Sequence, residues 1–88
     1  MMSKISTILV DDEIKNNELL NIYLDKYCPK IEVVGIATTV EDAINKINGL
    51  QPNLIFLDIV LHDGTGFDVL EGVHEVTFFS QASFLRYQ

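Results

Sequence analysis

With 88 residues, 13 acidic against six basic side chains and 48% apolar residues, the chain suits one packed domain and is too apolar for a disordered acidic tail. Its net charge of -7 argues against a nucleic-acid or anionic-membrane surface, since both partners reward clustered Lys and Arg. No apolar run approaches the roughly 20 residues that span a bilayer, no h-region follows Lys4, and the lone Cys28 has no internal partner, so a soluble protein of a reducing cytoplasm is expected.

The run Ile5 to Val10 is rich in β-branched residues and stops at Asp11, Asp12 and Glu13, as a buried strand does on reaching solvent. A helix is predicted from Ile14 to Tyr27, with Leu20, Tyr23, Leu24 and Tyr27 on one face and Asp12 and Glu13 in its first turn. Pro29 prevents its continuation. Ile31 to Ala37 reads as the second strand. Thr38 or Thr39 then caps a second helix whose apolar face is Val40, Ala43, Ile44 and Ile47, and Gly49 is its expected stop.

Pro52 and Asn53 precede Leu54 to Leu57, a third strand expected to be buried on both faces and closed by Asp58. Gly64 and Gly66 mark a turn into a helix from Phe67 to about Glu75, with Phe67, Leu70 and Val73 on one side. Residues 76–88 are the least regular part: Val76 to Phe79 is a candidate fourth strand, and Ser80 to Gln88 has no clear period. The whole chain, 1–88, reads as a single domain without repeats or linkers.

Alternating strands and helices define an α/β domain with a doubly wound parallel sheet, because parallel strands require crossover connections. If the second and third strands flank the first, in the order 2-1-3 with a fourth beyond, a crevice opens at their carboxyl ends, where Asp11, Asp12 and Asp58 stand. Carboxylates about 5 Å apart repel by roughly 3 kcal/mol per ionised pair at an effective dielectric near 20, and a hard divalent cation such as Mg²⁺ offsets this best. Taken singly, each aspartate is equally well a solvated turn residue or a cap. Taken together, directly after two apolar strands, they point to a metal-assisted phosphoryl site.

The segments ILVDDE and LIFLDIVLHDGTGFDVLE resemble the two signatures of response-regulator receiver domains, particularly those that precede LytTR-type DNA-binding domains; the match covers about residues 4 to 75. The resemblance implies a flavodoxin-like fold in which Asp58 is the phosphoacceptor and a sensor histidine kinase is the partner. It further implies that Asp11, Asp12, Asp58 and the backbone carbonyl of Val60 hold Mg²⁺. The domain would then be a signalling acceptor rather than an enzyme, with no nucleic-acid contact of its own.

The sequence departs from that pattern in places. His62 replaces a usual proline, which predicts a less rigid loop and a solvated side chain, and His74 reads the same way. Five strands and five helices are expected of the family, whereas this sequence stops before a fifth strand and carries no counterpart of the phosphoryl-clamping lysine. Ser80 is the first candidate for the switch hydroxyl and Ser83 the second, although both come early after Asp58. Missing outer elements would expose a sheet edge, so self-association is expected.

Two other readings compete with this one. Asp63, Gly64 and Thr65 match the second half of a haloacid-dehalogenase motif, yet Leu61 stands where the nucleophile belongs. A receiver-like interaction module that is not productively phosphorylated is the alternative that fits the missing lysine.

Overall fold

The computed structural model describes residues 4–73 and the backbone of 82–84. Among the described residues the elements in chain order are β1 (Ile5–Val10), α1 (Ile14–Tyr27), β2 (Ile31–Ala37), α2 (Val40–Leu50), β3 (Leu54–Leu57), β4 (Val60–Leu61), β5 (Gly64–Thr65), α3 (Gly66–Gly72) and β6 (Ala82–Phe84). The main sheet has the order β2-β1-β3-β6 with every pairing parallel, and β4 and β5 form a small antiparallel hairpin. The expected 2-1-3 order with a fourth strand beyond is therefore present. That fourth strand is Ala82–Phe84; the candidate Val76 to Phe79, together with Ser80 and His74, lies outside the described residues.

Alternation along β1 and β3 sends Ile8, Val10, Ile55 and Leu57 to one face, where Ala43 and Ile47 of α2, Leu61 of β4 and Val69 of α3 complete the core. Ile8, Leu57 and Val69 are fully enclosed. The opposite face carries Leu9 and Phe56 toward α1, whose Leu24 is buried. Among the described residues this second face is the thinner one: Leu54 and Phe56 are half-buried, so β3 is not sealed on both sides as its apolar run suggested.

Three helix expectations change in the folded chain. In α1 the buried positions are Asn17 and Leu24, one heptad apart, while Tyr23 and Tyr27 are exposed and lean on each other with ring centroids 6.3 Å apart. The physical reason is polar: Asn17 Nδ2 donates to the carbonyls of Asp11 (3.1 Å) and Ala37 (3.2 Å), and satisfying those buried oxygens sets the helix's rotation. Asp12 and Glu13 also lie outside the first turn, Glu13 being the N-cap residue.

Helix α2 begins as read, with Thr39 Oγ1 accepting from Asp42 N, but it runs through Gly49 and ends at Gln51 in the left-handed region, φ 48°. Exposed Gly49 has no tertiary neighbour there, so nothing forces a break at it. In α3 it is Val69, not Phe67, that reaches the core, and the helix is fixed by a reciprocal cap between Thr65 and Asp68.

Candidate functional site

The ends of the strands assemble the site. Asp11 N donates to Ala37 O (3.1 Å) and Asp58 N donates to Val10 O (3.0 Å), so the two strand-terminal aspartates leave the sheet at the same level. Each of Asp11, Asp12 and Asp58 offers a carboxylate oxygen, and the three atoms lie within 4.8 Å of one another. Asp58 is 4% exposed and, with the half-buried Asp11, lines a cleft bounded also by Asn16, Leu20 and Phe56; Asp12 is half-buried beside them.

Several neighbours that sequence reasoning passed over hold these carboxylates. Asp11 Oδ1 accepts from Glu13 N (2.9 Å), and Asn16 Nδ2 sits 3.3 Å from both Asp11 oxygens. Asp58 Oδ1 accepts from Val60 N (3.3 Å). Gly66 lets its segment lie against the end of β3: a Cβ there would stand 2.8 Å from the Asp58 carbonyl oxygen and 3.1 Å from Leu57 Cγ. Asn16 and Asn17 carried no periodic signal, because an amide at a helix start is ordinarily read as solvated; their partners are the carboxylate and carbonyl of Asp11 just upstream and the Ala37 carbonyl brought in by β2.

The hairpin after Asp58 differs from the expected loose loop. Leu61 pairs with Gly64, leaving His62 and Asp63 as a two-residue tip. Both oxygens of Asp63 accept from Val40 N (3.0 and 3.1 Å), which ties that tip to the start of α2. Asp63 thus caps a helix and is no half of a phosphatase motif. His62 is solvated as read, its side chain 80% exposed, yet its Nε2 lies 3.4 Å from Asp12 Oδ2. Ser83, the second hydroxyl candidate, is in β6 opposite Phe56, one step short of the end of β3.

Three carboxylate oxygens with no softer donor among them form a set suited to a hard divalent cation, and the half-open mouth leaves room for waters to fill the remaining positions. The buried position of Asp58 beside two other acids is chemically costly without such a cation. Mg²⁺ therefore fits the residues present.

A parallel sheet with clustered acids at the carboxyl ends of adjacent strands is the arrangement of a receiver-type signalling domain. The chain belongs to the response regulator receiver domain family, whose family description matches residues 7–81. It is 34% identical over 65 residues to the sensory transduction protein LytT of Bacillus cereus, a stretch that is 74% of this chain and 26% of that protein. It is 38% identical over 69 residues to the transcriptional regulatory protein CitB of Klebsiella pneumoniae, covering 78% of this chain and 29% of that protein. The chain thus spans between a quarter and a third of these relatives. Among solved structures, the response regulator domain of Thermotoga maritima CheB superposes with a TM-score of 0.72 at 29% identity, covering 78% of this chain and 51% of that one. The signal receiver domain of NarL from Mycobacterium tuberculosis shares the fold, with a TM-score of 0.76 at 20% identity over 94% of this chain and 64% of that one. No described helix is long and apolar enough to cross a membrane.

Proposed function

We propose that this receiver domain accepts a phosphoryl group on the Asp58 carboxylate from a phosphohistidine of a sensor kinase, with Asp11, Asp12, Asp58 and the Val60 carbonyl holding Mg²⁺. The observation that carries this reading is the convergence of three carboxylates from β1 and β3 within 4.8 Å, with the acceptor almost fully enclosed. Asp58 attacks phosphorus in line; its oxygen forms the new P–O bond as the P–N bond breaks, the electron pair returning to the donor imidazole. Since a carboxylate nucleophile has no proton to lose, no general base is required. A Mg²⁺ ion held by Asp11, Asp12, Asp58 and the Val60 carbonyl would supply neutralisation of the charge that develops on the phosphoryl oxygens.

The chain's own residues do the rest. The Asp58 N to Val10 O bond and the close approach of Gly66 hold the acceptor at the strand end, and Val60 N orients one of its oxygens. Asn16 and Glu13 N restrain Asp11 at the opposite rim. Cytoplasmic residence and Ser80 as the switch hydroxyl belong to the same proposal, as does self-association through a sheet edge, which sedimentation of the chain measures.

Incubation with Mg²⁺ and acetyl phosphate followed by intact-mass measurement tests the reading. One added phosphoryl group, lost in Asp58→Asn and in the presence of a chelator, is the expected result. An unmodified wild-type chain would instead favour an interaction module that binds partners without accepting phosphate.

A further inference from the structure

We infer that the outward face of α1 is a contact surface for a second copy of this chain, with the two helices packed antiparallel about a two-fold axis that passes between Leu19 and Ile22. The inference does not rest on the acceptor reading, and it uses a helix face separate from any sheet edge.

The helix turns few of its apolar side chains inward. Asn17 and Leu24 are its buried positions, whereas Leu19, Ile22, Tyr23 and Tyr27 are 51%, 60%, 51% and 67% exposed. At about 100° of turn per residue, Leu19 and Ile22 stand opposite the buried pair, and Tyr23 and Tyr27 continue the same stripe along one flank. The four leave roughly 350 Å² of side-chain surface in water, a single patch of the size at which monomer surfaces are often functional. Its aromatic end is already organised: the Tyr23 and Tyr27 rings lean on each other, and Lys26 Nζ lies 5.4 Å from the Tyr27 ring centroid. Side chains that hold one another in this way lose less rotamer freedom on contact.

Charge selects the occupant. The chain carries a net charge of -7, so most encounters between copies are repulsive. Helix α1 is the exception: Lys15 and Lys26 balance Glu18 and Asp25, all four are exposed, and the whole surplus of acids lies elsewhere. With the axis between Leu19 and Ile22, Leu19 meets Ile22 of the partner subunit. Asp25 then comes within one helical turn of Lys15 of the partner subunit, and Glu18 within one turn of Lys26 of the partner subunit, each pair occurring twice. Parallel packing in register would instead set like charges level with each other. A neutral stripe of alternating sign thus fits its own reverse better than a partner of one sign. The patch is small, which places the dimer among weak interfaces of less than about 1,200 Å² in total.

Sedimentation equilibrium of the full chain at low salt, from low to high micromolar concentration, tests this. Wild type should pass from 9.9 kDa to about twice that mass. Ile22→Asp should raise the dissociation constant by at least about fivefold, the loss expected of a central interface residue. Because Ile22 is exposed, the variant should keep the far-UV circular dichroism of wild type. Asp25→Lys should weaken the dimer by at least about threefold through lost exposed ion pairs, and the exchange Lys15→Asp with Asp25→Lys should restore it. A wild type that stays monomeric overturns the inference and leaves the α1 face to a different protein. A dimer as strong in Ile22→Asp as in wild type overturns it too and puts the contact elsewhere, a sheet edge included. If the paired exchange is no stronger than Asp25→Lys alone, the antiparallel two-fold is overturned.

Discussion

Asp58 N donates to Val10 O at 3.0 Å, and that one backbone bond sets Asp58 beside the strand end from which Asp11 and Asp12 emerge. It turns two sequence positions almost fifty residues apart into neighbours on one rim. What the rim tolerates depends on the groups that hold it, and substitutions at four positions probe them.

Asp58→Asn removes one of the clustered charges and keeps an oxygen able to accept from Val60 N. In chelator it should be more stable than wild type by about 1 kcal/mol, because each ionised pair near 5 Å repels by about 3 kcal/mol at an effective dielectric near 20 and partial exposure of the others screens much of that. Adding Mg²⁺ reverses the order: at about 100 times its Kd it should stabilise wild type by about 2.7 kcal/mol, and the variant by less. Urea titrations with and without Mg²⁺ read both numbers. A variant less stable than wild type in chelator would mean that the carboxylates do not strain one another.

Asn17→Ala withdraws two donors from buried carbonyls of Asp11 and Ala37. The remaining oxygens keep only part of their bonding, Ala37 O still accepting from Asp11 N, so a loss of about 1 to 3 kcal/mol is expected. Asn17→Leu should do no better, despite its larger apolar surface. A leucine variant as stable as wild type would show that hydrophobic packing rather than amide bonding orients α1.

Gly66→Ala places a methyl 2.8 Å from the Asp58 carbonyl oxygen and 3.1 Å from Leu57 Cγ. Backbone and core must give way, at a cost of about 1 to 3 kcal/mol, and the acceptor strand moves with them. Slower phosphorylation from acetyl phosphate should accompany the lower urea midpoint. If stability drops while the phosphorylation rate holds, the close approach serves packing alone.

Asp63→Ala removes the acceptor of Val40 N and frees the hairpin tip. A helix cap of this kind contributes about 1 kcal/mol. Amide hydrogen exchange should quicken at Val40 and across the β4–β5 turn more than in the β1–β3 core. Uniform exchange across the chain would place the hairpin's anchor elsewhere.

Much of this architecture was legible in order along the chain. β1, α1 and β2 fall on the boundaries that apolar periodicity and proline imply, because a strand or helix of that length declares itself through its immediate neighbours. The acidic set was legible too, since each aspartate follows an apolar strand directly. Harder to see were the features that answer to distant atoms: the rotation of α1 and the contacts of the hairpin tip with Val40 and Asp12. Tyr23 and Tyr27 occupy helical spacing as good as that of Leu24, and only the carbonyls awaiting Asn17 decide which side turns inward.

The residue types at positions 11, 12 and 58, and the apolar strands before them, were enough to foresee an α/β sheet with an acidic cluster at its strand ends, because hydrophobic patterning and charge are local properties of the chain. Folding alone decided that His62 faces Asp12 and that Asp63 grips α2. Those contacts join segments separated along the backbone, and their geometry comes from strand pairing and hydrogen bonds that no single stretch contains.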